Sequence, residues 1–341
     1  MRIVSSVIGM SSVISRLPVG PHARGPPKGQ PSTPYAQPVE VGAFSRDRAG
    51  GVHFDRRALR RYREPRLPSP LSAGFNDFVP KRNDLAASEA ALVAAAEEFP
   101  DAKRAAFVTY RNNLNKLCAT PYSDDDWEMG VSRLADGRAL LRVRETERRR
   151  RNDAAQTDDE RLWSFFGYRF EALCTDDDAT RPVDANEEFV GVFACKLGDH
   201  RVCVAAEIDC EDDGGYVELK TNKLLNTPRQ VRTFERFKLF KFWLQSFLVG
   251  TPAIVVGFRD DAGECSKRQR FDTLKLPALG AKHWQPRVAL HFADSVLSWL
   301  GDATRAAWAD EPDAELVVRF EPSERSVVLL RKDRAKKART D

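Results

Sequence analysis

Apolar and polar positions along the chain fall into helical and strand periods, and the breaks between them outline the elements. Residues 84–98 (DLAASEAALVAAAEE) read as an Ala-rich helix. FPDAKRAAFVTYRNNLNKLCATPY predicts a second helix from about Asp101, its N-cap, that stops before Pro121. LADGRALLRVRE predicts a hairpin around Asp136-Gly137. A mostly apolar helix over 159–174 carries Glu171. FVGVFACKLGDHRVCVAAEID reads as two strands joined at Gly198-Asp199; EDDGG is a turn, and YVELKT is the next strand. Residues 229–248 predict a long helix, followed by the strand PAIVVGFR. A turn at Asp260–Gly263, a strand near Gln269–Leu276, a helix over DSVLSWLGDATRAAW and a closing hairpin over LVVRFEPSERSVVLLR complete the pattern. Helices first, then a strand-rich centre flanked by helices, predict an α+β (mixed α/β) fold. It is a single domain over 39–330, with central, mostly antiparallel or mixed sheets. Pro and Gly crowd residues 18–38, so 1–38 is expected to be a disordered tail, and 331–341 a basic C-terminal tail.

Composition changes this picture little. The 341 residues are 42% apolar and 30% charged, as in soluble globular proteins, and a net charge of +4 does not by itself argue for nucleic acid. Its distribution says more. No acid precedes Glu40, RVRETERRRR (142–151) concentrates six arginines, and RKDRAKKARTD closes the chain. Such clusters serve nucleic-acid binding or nuclear import, or are simply solvated faces. The six cysteines form no C-x-x-C and no zinc spacing with the five histidines, so buried reduced thiols and an intracellular setting are expected. No apolar run approaches the ~18 residues of a membrane span. The acid-free start keeps a transit peptide open beside the disordered extension.

The chemistry concentrates in AAEIDCEDDGGYVELKTNK (205–223). Strand alternation puts Glu207 with Asp209 on one face, and Glu218 with Lys220 on one face. If VCVAAEID pairs with YVELKT, one register gathers all four. Two carboxylates ~5 Å apart repel by roughly 3 kcal/mol at an effective dielectric of 20. A positive charge must therefore lie between them. Oxygen-only ligands select a hard divalent cation such as Mg²⁺ or Mn²⁺, and two such ions clamp an in-line displacement at phosphorus. Lys220 would stabilise charge on the phosphoryl group or orient the attacking water. A polar outer strand face explains E-x-K equally well when it stands alone. On the helix after it, Lys238, Lys241 and Gln245 form one stripe, and a Gln among aromatics needs partners if buried.

Taken in order, TYRNNLNKLCATPY, GYRFE, EIDC, YVELKTNK and RFKLFKFWLQSFLVGTP with IVVGFR resemble the motifs of the DXO family of decapping exoribonucleases, which includes a fungal nuclear member that partners a nuclear 5′→3′ exoribonuclease. The likeness covers roughly 39–330 and implies a core like that of PD-(D/E)xK nucleases. It implies metal ligation by Glu171, Glu207, Asp209, Glu218 and the main-chain carbonyl of Leu219. It places Lys220 and Gln245 near the scissile phosphate, and Arg111 against the RNA backbone. Glu171, Asp209, Glu218, Lys220 and Gln245 are then the catalytic set. Arg111, Glu171, Lys220, Lys241 and Gln245 are the substrate-binding set. No acidic position is replaced.

The turn between Asp209 and Glu218 is shorter than in some animal members, and the N-terminal tail matches no family feature. Both leave substrate preference open rather than catalysis. The implied activity is metal-dependent hydrolysis of RNA 5′ ends. It removes incomplete, unmethylated or NAD caps, or pyrophosphate from a 5′-triphosphate, with or without 5′→3′ degradation of the body, and it uses two Mg²⁺ or Mn²⁺ ions. Two readings stand beside it: a non-catalytic RNA-end binder or exonuclease partner, and a DNA nuclease of the same core. The basic C-terminus and the fungal relatives point to the nucleus, with the cytoplasm open.

Overall fold

The computed structural model describes residues 11–27, 31–176 and 181–332. In chain order the first strands are β1 (Ser11–Pro18), β2 (Tyr35–Arg46), β3 (Val52–His53), β4 (Ser69–Pro70) and β5 (Phe107–Tyr110). Next come β6 (Trp127–Arg133), β7 (Ala139–Arg144), β8 (Glu188–Leu197), β9 (His200–Glu207) and β10 (Cys210–Asp212). The last are β11 (Gly215–Lys223), β12 (Ala253–Arg259), β13 (Glu264–Asp272), β14 (Leu316–Glu321) and β15 (Ser326–Lys332). The helices are α1 (Val19–His22), α2 (Leu85–Glu98), α3 (Arg111–Ala119), α4 (Glu147–Ala154) and α5 (Asp158–Leu173). They continue with α6 (Pro228–Thr233), α7 (Leu239–Phe247), α8 (Leu276–Gly280) and α9 (Pro286–Asp310).

Two mixed sheets result, as expected for a mixed α/β fold. The larger runs β1-β15-β14-β6-β7-β5-β9-β8-β2-β3 and the smaller runs β10-β11-β12-β13-β4. Most neighbours are antiparallel; β5 lies parallel to β7 and β9, and β11 parallel to β12. β8 and β9 turn at Gly198, whose φ of +56° suits glycine, and pair from Leu197↔His200 back to Val190↔Glu207.

Local sequence sets the helices that matter for the site. Thr157 and Glu160 form a capping box at the start of α5, whose first turn carries Asp158, Asp159 and Glu160 against the helix dipole. Phe166 and Phe170 of α5 pack with Val217 and Leu219 of β11 and Val255 of β12. The other face of the small sheet, Ile254, Val256 and Phe258, meets Phe234, Phe242 and Trp243 of the α6–α7 run. Gly257 is required where α5 crosses β12, because a Cβ there would stand 2.4 Å from the Phe170 ring. The small sheet is thus a slab with α5 on one side and α7 on the other.

Several expectations are corrected. β9 and β11 do not pair: the chain leaves the large sheet after Glu207 and enters the small one at Cys210, where β10 pairs with β11. The helix expected from Asp101 is divided into a short 3₁₀ turn at Pro100–Arg104, strand β5 and helix α3. Residues 229–248 are helical but pass through a π-helical turn at Phe234–Lys238. Part of the expected N-terminal tail is ordered, since Ser11–Pro18 pairs with β15 and Tyr35 opens β2. Residues 1–10 and 28–30 lie outside the described residues. Of the expected C-terminal tail, residues 331 and 332 finish β15, and 333–341 lie outside the described residues.

All six cysteines are free and buried, as expected of reduced thiols. Among the described residues no helix is long and apolar enough to cross a membrane. The arginine run falls on exposed α4 and its approach strand, and much of it is paired. Arg148 faces Asp125 and Asp126, Arg149 binds Asp153 and Arg151 binds Glu147.

Candidate active site

The site lies where the chain crosses between sheets. β10 covers β11 only through Gly215–Val217, so from Glu218 onward no strand among the described residues pairs with that edge of β11. Into that gap come Glu207 at the end of β9, Asp209 in the crossing, Glu218 and Lys220 from β11, Glu171 from α5 and Gln245 from α7. The acids and the lysine picked out by their spacing of two therefore meet, through a crossing between sheets rather than a hairpin.

Glu218 is the centre. It is 1% exposed and meets three cationic or polar groups. Arg111 donates to its Oε2 at 3.3 Å, while Lys220 and the Gln245 amide both donate to its Oε1. Lys220 also lies 3.7 Å from Asp209 and donates to the Leu219 carbonyl at 3.0 Å. Asp209 accepts from the Leu219 N–H at 2.6 Å. The main-chain group expected to ligate metal thus contacts the lysine expected to hold phosphate. Arg111 differs from expectation. It is 7% exposed, and its guanidinium also donates to the main-chain carbonyls of Gln245 (3.1 Å) and Glu207 (3.0 Å). It fixes β9, β11 and α7 around Glu218. Lys241 is exposed one turn before Gln245 and does not enter the cluster.

The electrostatics show the crowding. Burial, then Glu218, pushes the Asp209 carboxyl up to about 7, against the pull of Lys220 and the Leu219 N–H. Burial, then Asp209, raises Glu171 well above the usual carboxylate range, with Glu207 and Glu218 adding to the push. Lys220 is driven the other way: burial opposes its charge, but Glu218, Asp209 and Glu171 outweigh it and raise its pKa. Sequence reasoning missed a second lysine. Lys81, in the loop before α2, bridges Glu207 (2.7 Å) and Glu188 (2.5 Å). Burial works against ionisation of Glu207, yet the charge and hydrogen bond of Lys81, with Arg111 and Lys220, lower its pKa. Nothing in PKRND marked Lys81, because it stands in no periodic element; only the fold brings it to Glu207.

The donor set suits a hard divalent ion: four carboxylates and a carbonyl, all oxygen, with no His or Cys. Burial first, and mutual repulsion after it, raise Glu171 and Asp209, as in a buried nest with too little positive charge. Lys81, Lys220 and Arg111 supply what there is. Among the described residues no three or more His, Cys, Asp or Glu side chains stand close enough together to hold an ion as placed. Glu171, Glu207, Asp209, Glu218 and the Leu219 carbonyl are the groups that would hold one, once Lys220 yields Leu219 and one Glu218 oxygen.

An acid from a flanking helix, an acid in the crossing between the sheets and E-x-K on the strand beside it define the class: a nuclease centre of the PD-(D/E)xK type. The chain belongs to the RAI1-like PD-(D/E)XK nuclease family, whose model matches residues 36–340. It is 32% identical over 330 residues to the human decapping and exoribonuclease protein, covering 88% of this chain and 82% of that one. It is 31% identical over 302 residues to the decapping nuclease RAI1 of Emericella nidulans, covering 79% and 82%. Among solved structures, Scheffersomyces stipitis Rai1 in complex with (3′-NADP)⁺ and a calcium ion superposes with a TM-score of 0.77 at 26% identity, covering 92% of each chain. Candida albicans Rai1 shares the fold with a TM-score of 0.79 at 22% identity, covering 95% of this chain and 93% of that one.

Proposed function

We propose that this protein is a divalent-metal-dependent hydrolase of RNA 5′ ends. It would remove incomplete, unmethylated or NAD caps, or pyrophosphate from a triphosphate end. The observation that carries the reading is the convergence of Glu171, Glu207, Asp209 and Glu218 with Lys220 and Gln245 at one bare strand edge. The names of the human and fungal relatives, and the dinucleotide and calcium ion bound to the S. stipitis protein, support it.

The chain's own groups divide the work. Arg111 and Lys81 are positioning residues: one locks Glu218 between two sheets and a helix, the other fixes Glu207. Lys220 keeps its proton, so its ammonium is available to a phosphoryl oxygen as negative charge grows there. The Gln245 amide donates to Glu218, which leaves its carbonyl oxygen to accept from an attacking water. Water adds at phosphorus, one P–O bond breaks, and the departing oxygen takes a proton. A divalent ion, when bound, supplies charge that makes water a better nucleophile and offsets the phosphate charge. We propose two Mg²⁺ or Mn²⁺ ions, residence in the nucleus and a nuclear 5′→3′ exoribonuclease as partner, in keeping with the basic chain end at 331–341.

The test is a mass-spectrometric inventory of what leaves RNAs carrying a 5′-triphosphate, an unmethylated cap or an NAD cap, with Mn²⁺ or Mg²⁺ against chelator. Release of pyrophosphate, a cap fragment or a nicotinamide nucleotide that is lost in Glu218→Gln supports the reading. Folded wild-type protein that leaves all three RNAs intact refutes it.

A further inference from the structure

Both helices that flank β11 carry a half-exposed aromatic ring two turns before their site residue. On α5, Trp163, Gly167 and Glu171 follow at i, i+4 and i+8; on the α6–α7 run, Phe237, Lys241 and Gln245 do the same. That spacing keeps the three on one broad helix face. Trp163 and Phe237 each keep 46% of their surface in solvent. Both helices run against β11. Trp163 sits by Lys223 at its far end, and Phe234 sits by Phe258, the partner of Asn222.

The distances agree. Eight residues of α5 carry the chain about 12 Å from Glu171 to Trp163. Three residues of β11 carry it about 10 Å from Lys220 to Lys223, whose ammonium stands 5.6 Å from the Trp163 ring centroid. Among the described residues no strand covers Glu218–Lys223 on its outer side, so the edge between the acids and the tryptophan is open. The flank is basic. Lys238 and Lys241 are exposed, and neither meets a carboxylate among the described residues.

An exposed aromatic at the end of an open edge, with two unpaired lysines on the helix across that edge, matches the needs of a single-stranded nucleic acid. Phosphates follow the positive flank, and a base stacks on the ring whatever its sequence. Resting on the function proposed above, we propose that Trp163 is a stacking platform for a base in the body of the RNA. The strand leaves the acids along the β11 edge, with Lys241 and Lys238 beside its phosphates. This adds a length-dependent binding subsite to a site otherwise devoted to the 5′ end.

The test measures binding of 3′-labelled, 5′-monophosphorylated oligoribonucleotides of two and eight residues by fluorescence anisotropy, with Ca²⁺ as the divalent ion. Wild-type protein is expected to hold the octamer more tightly than the dimer. Trp163→Ala should weaken octamer binding by about 5- to 150-fold and close most of the gap to the dimer. Trp163→Phe, which keeps a ring, should retain most of the affinity while losing the quenching of tryptophan fluorescence by unlabelled octamer. Trp163→Ala protein that melts like wild type and binds the octamer equally well overturns the platform. If that happens while wild-type protein still releases 5′-end products, only the platform falls. If wild-type protein releases none from any RNA, the function itself falls, and the platform with it.

Discussion

Replacing Asp209 with Asn should stabilise the metal-free protein at pH 8. The Asp209 side chain is 10% exposed, and its carboxyl is pushed from 3.8 up to about 7 by burial and by Glu218. The sign follows from linkage. Between those values the folded chain holds a proton that the unfolded chain has released, so stability falls as pH rises through that window and stays low above about 7. About three pKa units at 1.36 kcal/mol each gives an upper bound of ~4 kcal/mol for the cost of ionising Asp209 in the fold. Asn keeps an acceptor for the Leu219 N–H, 2.6 Å away in the parent, and removes the charge. The assay is urea unfolding with chelator at pH 5 and pH 8. Asp209→Asn is expected to exceed wild type by about 2–4 kcal/mol at pH 8 and by no more than about 1.6 kcal/mol at pH 5, where the parent carboxyl is protonated in the fold but ionised in the unfolded chain. With a divalent ion present, wild type should regain stability and the variant much less. A variant less stable than wild type at pH 8 without metal would show that the carboxylates are not crowded, and the reasoning would fail.

Further predictions concern the neighbours of that nest. Lys220→Met should lower the rate of 5′-end hydrolysis by about 10²–10³-fold while RNA binding persists, as single-turnover kinetics can show. Arg111→Met leaves Glu218 without its guanidinium and frees two carbonyls; a loss of about 3–5 kcal/mol in unfolding free energy is expected. Gly257→Ala drives a methyl into Phe170. It should cost about 1–3 kcal/mol and, by shifting α5 and Glu171, weaken divalent-ion binding measured by calorimetry.

The acids were legible because E-x-D and E-x-K, parted by a Gly-Gly turn, are an uncommon load of charge on apolar strands. Alternation put Glu218 and Lys220 together correctly. It could not show that the chain changes sheets between Glu207 and Cys210, because strand partners are set by long-range packing. The same limit hid β1, whose partner β15 lies some 300 residues on. It also hid Lys81, which acquires a role only when its loop meets β8 and β9. Arg111 was found in sequence but given an outward role; its burial becomes visible only when three elements close around it. Helix α3 was obscured because Phe107–Tyr110 is too short a β-former run to stand out between helix formers.

The most direct test of the account is the anomalous scattering of Mn²⁺ in crystals of this protein grown with that ion. Density is expected among Glu171, Glu207, Asp209, Glu218 and the Leu219 carbonyl, with Lys220 withdrawn from Leu219. Carboxylates still bound only to Lys81, Lys220 and Arg111, with manganese elsewhere or nowhere, would contradict it.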